Sequence, residues 1–244
     1  MRPGTAAILL IGNELLTGKI VDENGARTIA ALRTAGIDLV ELRIVSDDLD
    51  AIGEAARELS GRAEFVVSSG GIGPTHDDVT LKAMARGFGV EMVEHPTLRG
   101  WIDAYFARRP TELEVWRRMA WLPEGSEIVV EGPLVWPVTR FKNIYVLPGV
   151  PQLFENQLRT VLSRHRAEPV RLATLYLSIG EGEIAPALER ALELHPAVTL
   201  GSYPVWGDTE YRTRVTVESR DQALVDTVTD WLRASLAAAV VRVG

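Results

Sequence analysis

The sequence predicts an α/β protein: a doubly wound, mostly parallel sheet with a helical insertion, followed by a small α+β domain of ferredoxin-like type. Three observations predict it. Apolar, β-branched runs alternate with amphipathic helical stripes over residues 5–88, in the order βαβαβα. Between 96 and 120 that alternation gives way to two helical stripes separated by Pro110. Beyond Glu168-Pro169 the pattern becomes βαββαβ. The domains follow as 1–167 and 168–244.

Residues 5–11 (TAAILLI) form the first expected strand, delivering Gly12-Asn13-Glu14 to its C-terminal end. A helix over about 23–35 is closed by Gly36, and strand 38–45 follows. Asp47 or Asp48 caps the next helix, whose apolar face is Leu49, Ile52, Ala56 and Leu59. Strand 64–69 leads through a glycine-rich turn to a helix at 77–88, with Leu81, Met84, Ala85 and Phe88 on one face. In the insertion, Leu98, Trp101, Ile102 and Tyr105 make one stripe and Leu113, Trp116 and Ala120 the other. Its tryptophans read first as packing and its arginines at 108, 109, 117 and 118 as a solvated face. Strands are expected near 127–130, 134–138 and 143–147, then Leu147-Pro148-Gly149-Val150-Pro151 and a helix bearing Phe154, Leu158, Val161 and Leu162. In the second domain the strands fall at 171–178, 198–203, 211–217 and 239–243, with helices at 182–194 and 221–236. Tyr211, Thr213, Val215 and Val217 alternate with Arg212, Arg214, Thr216 and Glu218, which predicts one wet sheet face.

Open α/β sheets bind ligands beyond the carboxyl ends of their strands. The loops at 12–18, 46–48, 70–78 and 147–151 gather there. The most informative is Ser69-Gly70-Gly71-Ile72-Gly73-Pro74-Thr75-His76-Asp77-Asp78. Its glycines permit positive φ and leave backbone amides uncovered, and a helix start attracts phosphate. Two adjacent aspartates would repel that anion unless a cation lay between them, so the chemistry reads as a phosphate cradle with a carboxylate-held metal. A structural reading stands beside it: Thr75 and Asp78 also fit a capping box, Asp47 a helix cap, Glu14 a loop brace and His76 a surface turn residue.

The bulk numbers exclude several function classes. A net charge of −7 without a long basic run argues against a nucleic-acid surface. The absence of cysteine removes disulfides and thiolate metal sites and is compatible with a reducing cytoplasm. The first apolar run, Ala6 to Ile11, is too short for a signal or a membrane span. A soluble cytoplasmic protein with no membrane partner is expected.

GNELLTG (12–18), Asp22-x-Asn24, GGIGPTHDDVT (70–80) and LPGVP (147–151) together resemble the N-terminal domain of the competence/damage-inducible protein A (CinA) family, of the MoaB/MogA molybdopterin-binding fold. Gly201-Ser202-Tyr203-Pro204 and its surroundings resemble the molybdopterin-binding-like part of eukaryotic FAD synthases. The resemblance implies that Ser69, Gly70, Gly71, Gly73, Thr75, Gly12 and Asn13 hold phosphate or nucleotide. It implies that Asp78, with Asp77, is catalytic, and that Asp78 with Glu14, Asp22 and Asp47 holds a divalent metal such as Mg²⁺ or Co²⁺. Ser202 and Tyr203 become second-domain contacts. The implied activity is hydrolysis of ADP-ribose, FAD or a related nucleotide pyrophosphate by a homodimer. The alternative is a non-catalytic module holding molybdopterin or a similar pterin phosphate. The sequence departs from the CinA pattern after PGVP, where Gln152-Leu153-Phe154 stands and Glu155 is displaced, so no role is carried over there. Neither the CinA deamidase domain nor the FAD synthase adenylyltransferase half is expected in the chain.

Overall fold

The computed structural model describes residues 4–130, 136–165, 167–207 and 210–244. It divides into two compact units, residues up to Ala167 and Glu168–Gly244.

In the first unit β1 (Thr5–Ile11) leads into a short α1 (Asn13–Leu16), then α2 (Asn24–Thr34), β2 (Asp38–Val45), α3 (Leu49–Arg62), β3 (Phe65–Ser69) and α4 (Thr80–Phe88). β4 (Met92–Glu94), α5 (Pro96–Tyr105), α6 (Pro110–Trp116), a 3₁₀ turn (Arg117–Ala120) and β5 (Trp121–Pro123) form the insertion. β6 (Ser126–Val129), β7 (Val138–Phe141), β8 (Ile144–Leu147) and α7 (Pro151–Ser163) complete the unit. The main sheet runs β2-β1-β3-β8-β7-β6. Its first four strands are parallel, and β7 and β6 are antiparallel.

The unbroken apolar run of β1 is explained by cover on both faces. Ala6, Ile8 and Leu10 join Phe65, Val67, Leu147 and the α7 residues Phe154, Leu158 and Val161. Ala7, Leu9 and Ile11 point the other way, onto Ile52, Ala56 and Leu59 of α3 and Met84 of α4. Helices α3 and α4 meet through glycine. A Cβ on Gly87 would lie 2.5 Å from the Gly53 carbonyl oxygen, and one on Gly53 would lie 2.8 Å from that of Ala83. Asp48 is the α3 cap, accepting from the Asp50 and Ala51 amides, while Asp47 serves the neighbouring loop.

Four details differ from the sequence reading. The 12–18 loop carries a turn of helix. Helix α4 begins at Thr80, three residues after the expected start, because Asp78 is engaged by Thr75 in a turn. β4 and β5 pair antiparallel and close the base of the insertion, a pairing too short and too distant in sequence to show as a pattern. The strand expected at 134–138 falls partly on 131–135, outside the described residues; β7 runs 138–141 and turns at Lys142, whose φ is 54°.

The second unit comprises β9 (Arg171–Leu177), α8 (Glu181–Leu194), β10 (Thr199–Pro204), β11 (Thr213–Ser219), α9 (Gln222–Ser235) and β12 (Val240–Val243). The sheet order β10-β11-β9-β12, antiparallel throughout, is the ferredoxin-like arrangement. Leu175, Leu177, Val215 and Val217 pack on Ile184, Val225, Val228 and Leu232 of the helices. The opposite face is less wet than the alternation predicts. Thr216 is buried there, because the Tyr203 ring lies across Gly201 beside it. Arg214 lies over the Tyr203 ring and Arg242 over that of Tyr176. Among the described residues no helix is long and apolar enough to cross a membrane.

Candidate functional site

The glycine turn is shaped by the ends of two elements. Gly70 has φ 106° and Gly71 φ 62°. A Cβ on Gly70 would lie 2.1 Å from the Ile11 carbonyl oxygen, at the end of β1, and one on Gly71 would lie 2.4 Å from Thr80 Oγ1. The absent side chains of these two glycines make room for neighbouring protein atoms. Thr80 locks the turn: its hydroxyl donates to the Gly70 carbonyl at 2.9 Å and its amide to that of Gly71 at 3.1 Å. Among the described residues the amides of Gly71, Ile72 and Gly73 donate to no protein acceptor.

Asp78 sits on the same turn. Thr75 donates its amide to Asp78 Oδ2 at 2.9 Å, and Thr75 Oγ1 lies 2.5 Å from that oxygen and 2.6 Å from Asp77 Oδ1. A Cβ on Gly73 would lie 2.6 Å from Asp78 Oδ2, so this glycine leaves space for the carboxylate. Asp77 shares the Thr75 hydroxyl with Asp78. The Thr75 hydroxyl, its own backbone amide and the His76 charge hold its carboxyl below the ordinary range, yet it is exposed.

Buried polar contacts tie the remaining loops together. Asn24 Nδ2 donates to Ser69 Oγ and to the Gly149 carbonyl, each at 2.9 Å, and Ser69 Oγ donates to the Pro148 carbonyl at 3.2 Å. Start of α2, end of β3 and start of α7 are thus joined by one side chain. Asn24 Oδ1 is buried without a partner among the described residues. Asp22 Oδ1 accepts from the Gly25 amide at 2.9 Å. The Glu14 carboxylate folds back under Gly12, where a Cβ would come within 2.5 Å of Oε1.

These loops open onto a cavity of about 720 Å³. Glu14, Asp22, Ser69, Gly70, Gly71, Gly73 and Asp78 all line it, as does Asn24. Gly12, Asn13, Asp47, Thr75 and Asp77 lie outside its lining. Asn13 donates its amide to Asp47 Oδ2 at 2.8 Å, joining the β1 loop to the residue before the α3 cap. In the second unit Ser202 donates to Glu181 Oε1 at 2.6 Å, and Tyr203 lies under Arg214. Among the described residues no group of three or more His, Asp or Glu is placed to hold a metal ion.

Part of the lining is aromatic: Tyr105, Phe106, Trp116 and Trp136, with Arg109 and Glu112. The sequence assigns the insertion's tryptophans to packing. For Trp116 packing and cavity wall coincide, which helical periodicity cannot report. Asn24 was quoted only as part of a motif; a single polar residue at a loop-to-helix junction gives no sign of the three loops it joins.

Residues 7–167 match the family described as "Probable molybdopterin binding domain", and residues 169–243 match "FAD synthase, middle domain". A protein of Archaeoglobus fulgidus is 32% identical over 197 residues, covering 81% of this chain and 84% of its own length. The "Probable FAD synthase" of Caenorhabditis elegans is 28% identical over 97% of this chain, which spans 51% of that relative. The solved structure of the protein CinA from Thermoplasma acidophilum superimposes with a TM-score of 0.58 at 29% identity, covering 67% of this chain and 99% of that one. The chain belongs to the molybdopterin-binding domain family, as a CinA-like member whose second unit is of the FAD synthase middle-domain type.

Proposed function

We propose that the cavity of the first unit binds and hydrolyses a nucleotide pyrophosphate such as ADP-ribose or FAD. The observation that carries this reading is the meeting of unpaired amides with three carboxylates on one cavity wall. The amides of Gly71, Ile72 and Gly73, free of protein acceptors among the described residues and on the cavity lining, would be donors for phosphate oxygens. Glu14, Asp22 and Asp78 would repel a bare pyrophosphate. The substrate in this reading is therefore its Mg²⁺ or Co²⁺ salt, whose cation needs only one or two protein carboxylates beside the phosphates. Asp78, fixed by Thr75, orients and deprotonates a water. The water oxygen bonds to one phosphorus, the bridging P–O bond breaks, and two phosphate monoesters leave. ADP-ribose would yield AMP and ribose 5-phosphate, and FAD would yield AMP and FMN.

A second reading, a module that holds molybdopterin or a similar phosphorylated cofactor without cleaving it, is supported by one observation, the match of residues 7–167 to the "Probable molybdopterin binding domain" family. Incubating the protein with ADP-ribose or FAD and Mg²⁺ or Co²⁺, then chromatographing for AMP, separates the two. Released AMP supports hydrolysis; binding without AMP supports the module.

A further inference from the structure

We infer that the helical insertion, with Trp136 just before β7, supplies a second subsite, one that stacks the flat heteroaromatic ring of the ligand while the glycine turn holds its phosphates. The inference rests on the reading of the cavity as a nucleotide site.

The cavity lining combines two chemistries. One is the glycine turn with its carboxylates. The other is Trp116 and Trp136, both only partly buried, with ring centroids 6.3 Å apart and planes at 52°. Trp116 is backed by Phe106, stacked at 4.9 Å and 22°, and Phe106 is itself buried in the insertion's small core. The Trp136 carbonyl accepts from Gln157 Nε2 of α7 at 3.0 Å. Arg117 Nε to Asp103 at 2.9 Å, with Arg99 reaching the same carboxylate at 3.2 Å, fastens α5 to the 3₁₀ turn.

Both indoles pack against that core, yet both are only partly buried and border about 720 Å³ of space that the glycine turn also lines. Apolar faces attract a planar π-system, because every nucleobase or flavin has a face to stack. Glu112 and Arg109, on the same lining, supply an acceptor for ring N–H groups and a donor for ring nitrogens and carbonyls. The ligand class is a phosphorylated fused heteroaromatic: a purine nucleotide or a flavin nucleotide.

The test is calorimetry on the full chain with inorganic pyrophosphate, ribose 5-phosphate, AMP and FMN, paired with tryptophan fluorescence. AMP or FMN should bind about tenfold or more tighter than ribose 5-phosphate and quench the emission, as stacking requires. The larger gain identifies purine or flavin. Trp116→Leu should erase the gap while leaving pyrophosphate affinity in place. Should that variant fail to fold, the exposed Glu112→Gln should weaken the aromatic ligand alone. Equal affinity for AMP, FMN and ribose 5-phosphate in the wild-type protein overturns the subsite, as does a gap that survives Trp116→Leu. Quenching by AMP without any affinity for pyrophosphate would keep the subsite and remove the phosphate reading on which hydrolysis depends.

Discussion

Asp78 owes its position to two neighbours on its own loop. Thr75 holds Oδ2 through its amide, and Gly73 leaves the space that the carboxylate fills. Adding one methyl at Gly73 would put carbon 2.6 Å from that oxygen, closer than any contact can stand. Gly73→Ala should therefore swing Asp78 out of place. The loop is on the surface, so the melting temperature should move little, whereas turnover should fall about tenfold or more, as misplaced catalytic groups do. Steady-state kinetics beside a thermal melt checks this; unchanged turnover would show that the carboxylate's position is immaterial. At this scale the sequence was informative where neighbours in sequence are neighbours in space. The stretch from Gly73 to Asp78 could be read directly, since Gly73, Thr75, Asp77 and Asp78 act on one another, whereas Gly70 answers to Ile11 at the end of β1. The partnership of Asn24 with Ser69 and Gly149, and that of Asn13 with Asp47, spans stretches that only folding brings together.

Among the elements, α3 and α4 lie backbone to backbone through Gly53 and Gly87, and α4 is the helix that carries Thr80. Gly87→Ala would force a methyl against the Gly53 carbonyl in a well-packed region. It should cost about 2 kcal/mol of stability, seen as a lower urea midpoint with an unchanged slope; an unaltered midpoint would mean that the helices part freely. A second element-scale test concerns the edge of the sheet where α7 ends. His165 stacks on Phe65 with centroids 3.9 Å apart, and its Nε2 lies 3.0 Å from the Tyr145 hydroxyl. Burial pushes the imidazole below its ordinary value, with the Glu64 carboxylate, 3.7 Å away, opposing. A depressed folded-state value means that the stability is present above the unfolded-state value, about 6.5, and is lost as pH falls through the folded one. The urea midpoint should thus drop as pH is lowered from about 7 to about 5, and His165→Gln should flatten part of that drop. Parallel curves for the two proteins would contradict the assignment. Most elements were legible from periodicity, because both sheet faces of the first unit are covered and α7, α8 and α9 each bury one stripe. The exceptions were short or had paired over long distances: α1, β4 and β5.

For the whole molecule, each unit has its own core, and every residue that lines the cavity lies before Ala167. A chain cut after Ala167 should fold cooperatively and still release AMP from ADP-ribose. A changed preference between ADP-ribose and FAD would assign selectivity to the second unit, and a halved mass on size exclusion would assign it to a dimer contact. An insoluble first unit would contradict independent folding. The central claim is that this cavity cleaves pyrophosphates by way of Asp78. Phosphorus NMR of ADP-ribose incubated with the protein and Mg²⁺ tests it most directly. The account predicts that the two pyrophosphate resonances give way to two phosphomonoester resonances, and that Asp78→Asn slows this about a hundredfold or more with the melting temperature nearly unchanged. Pyrophosphate resonances that persist with the wild-type protein, or that decay equally fast with Asp78→Asn, would contradict it.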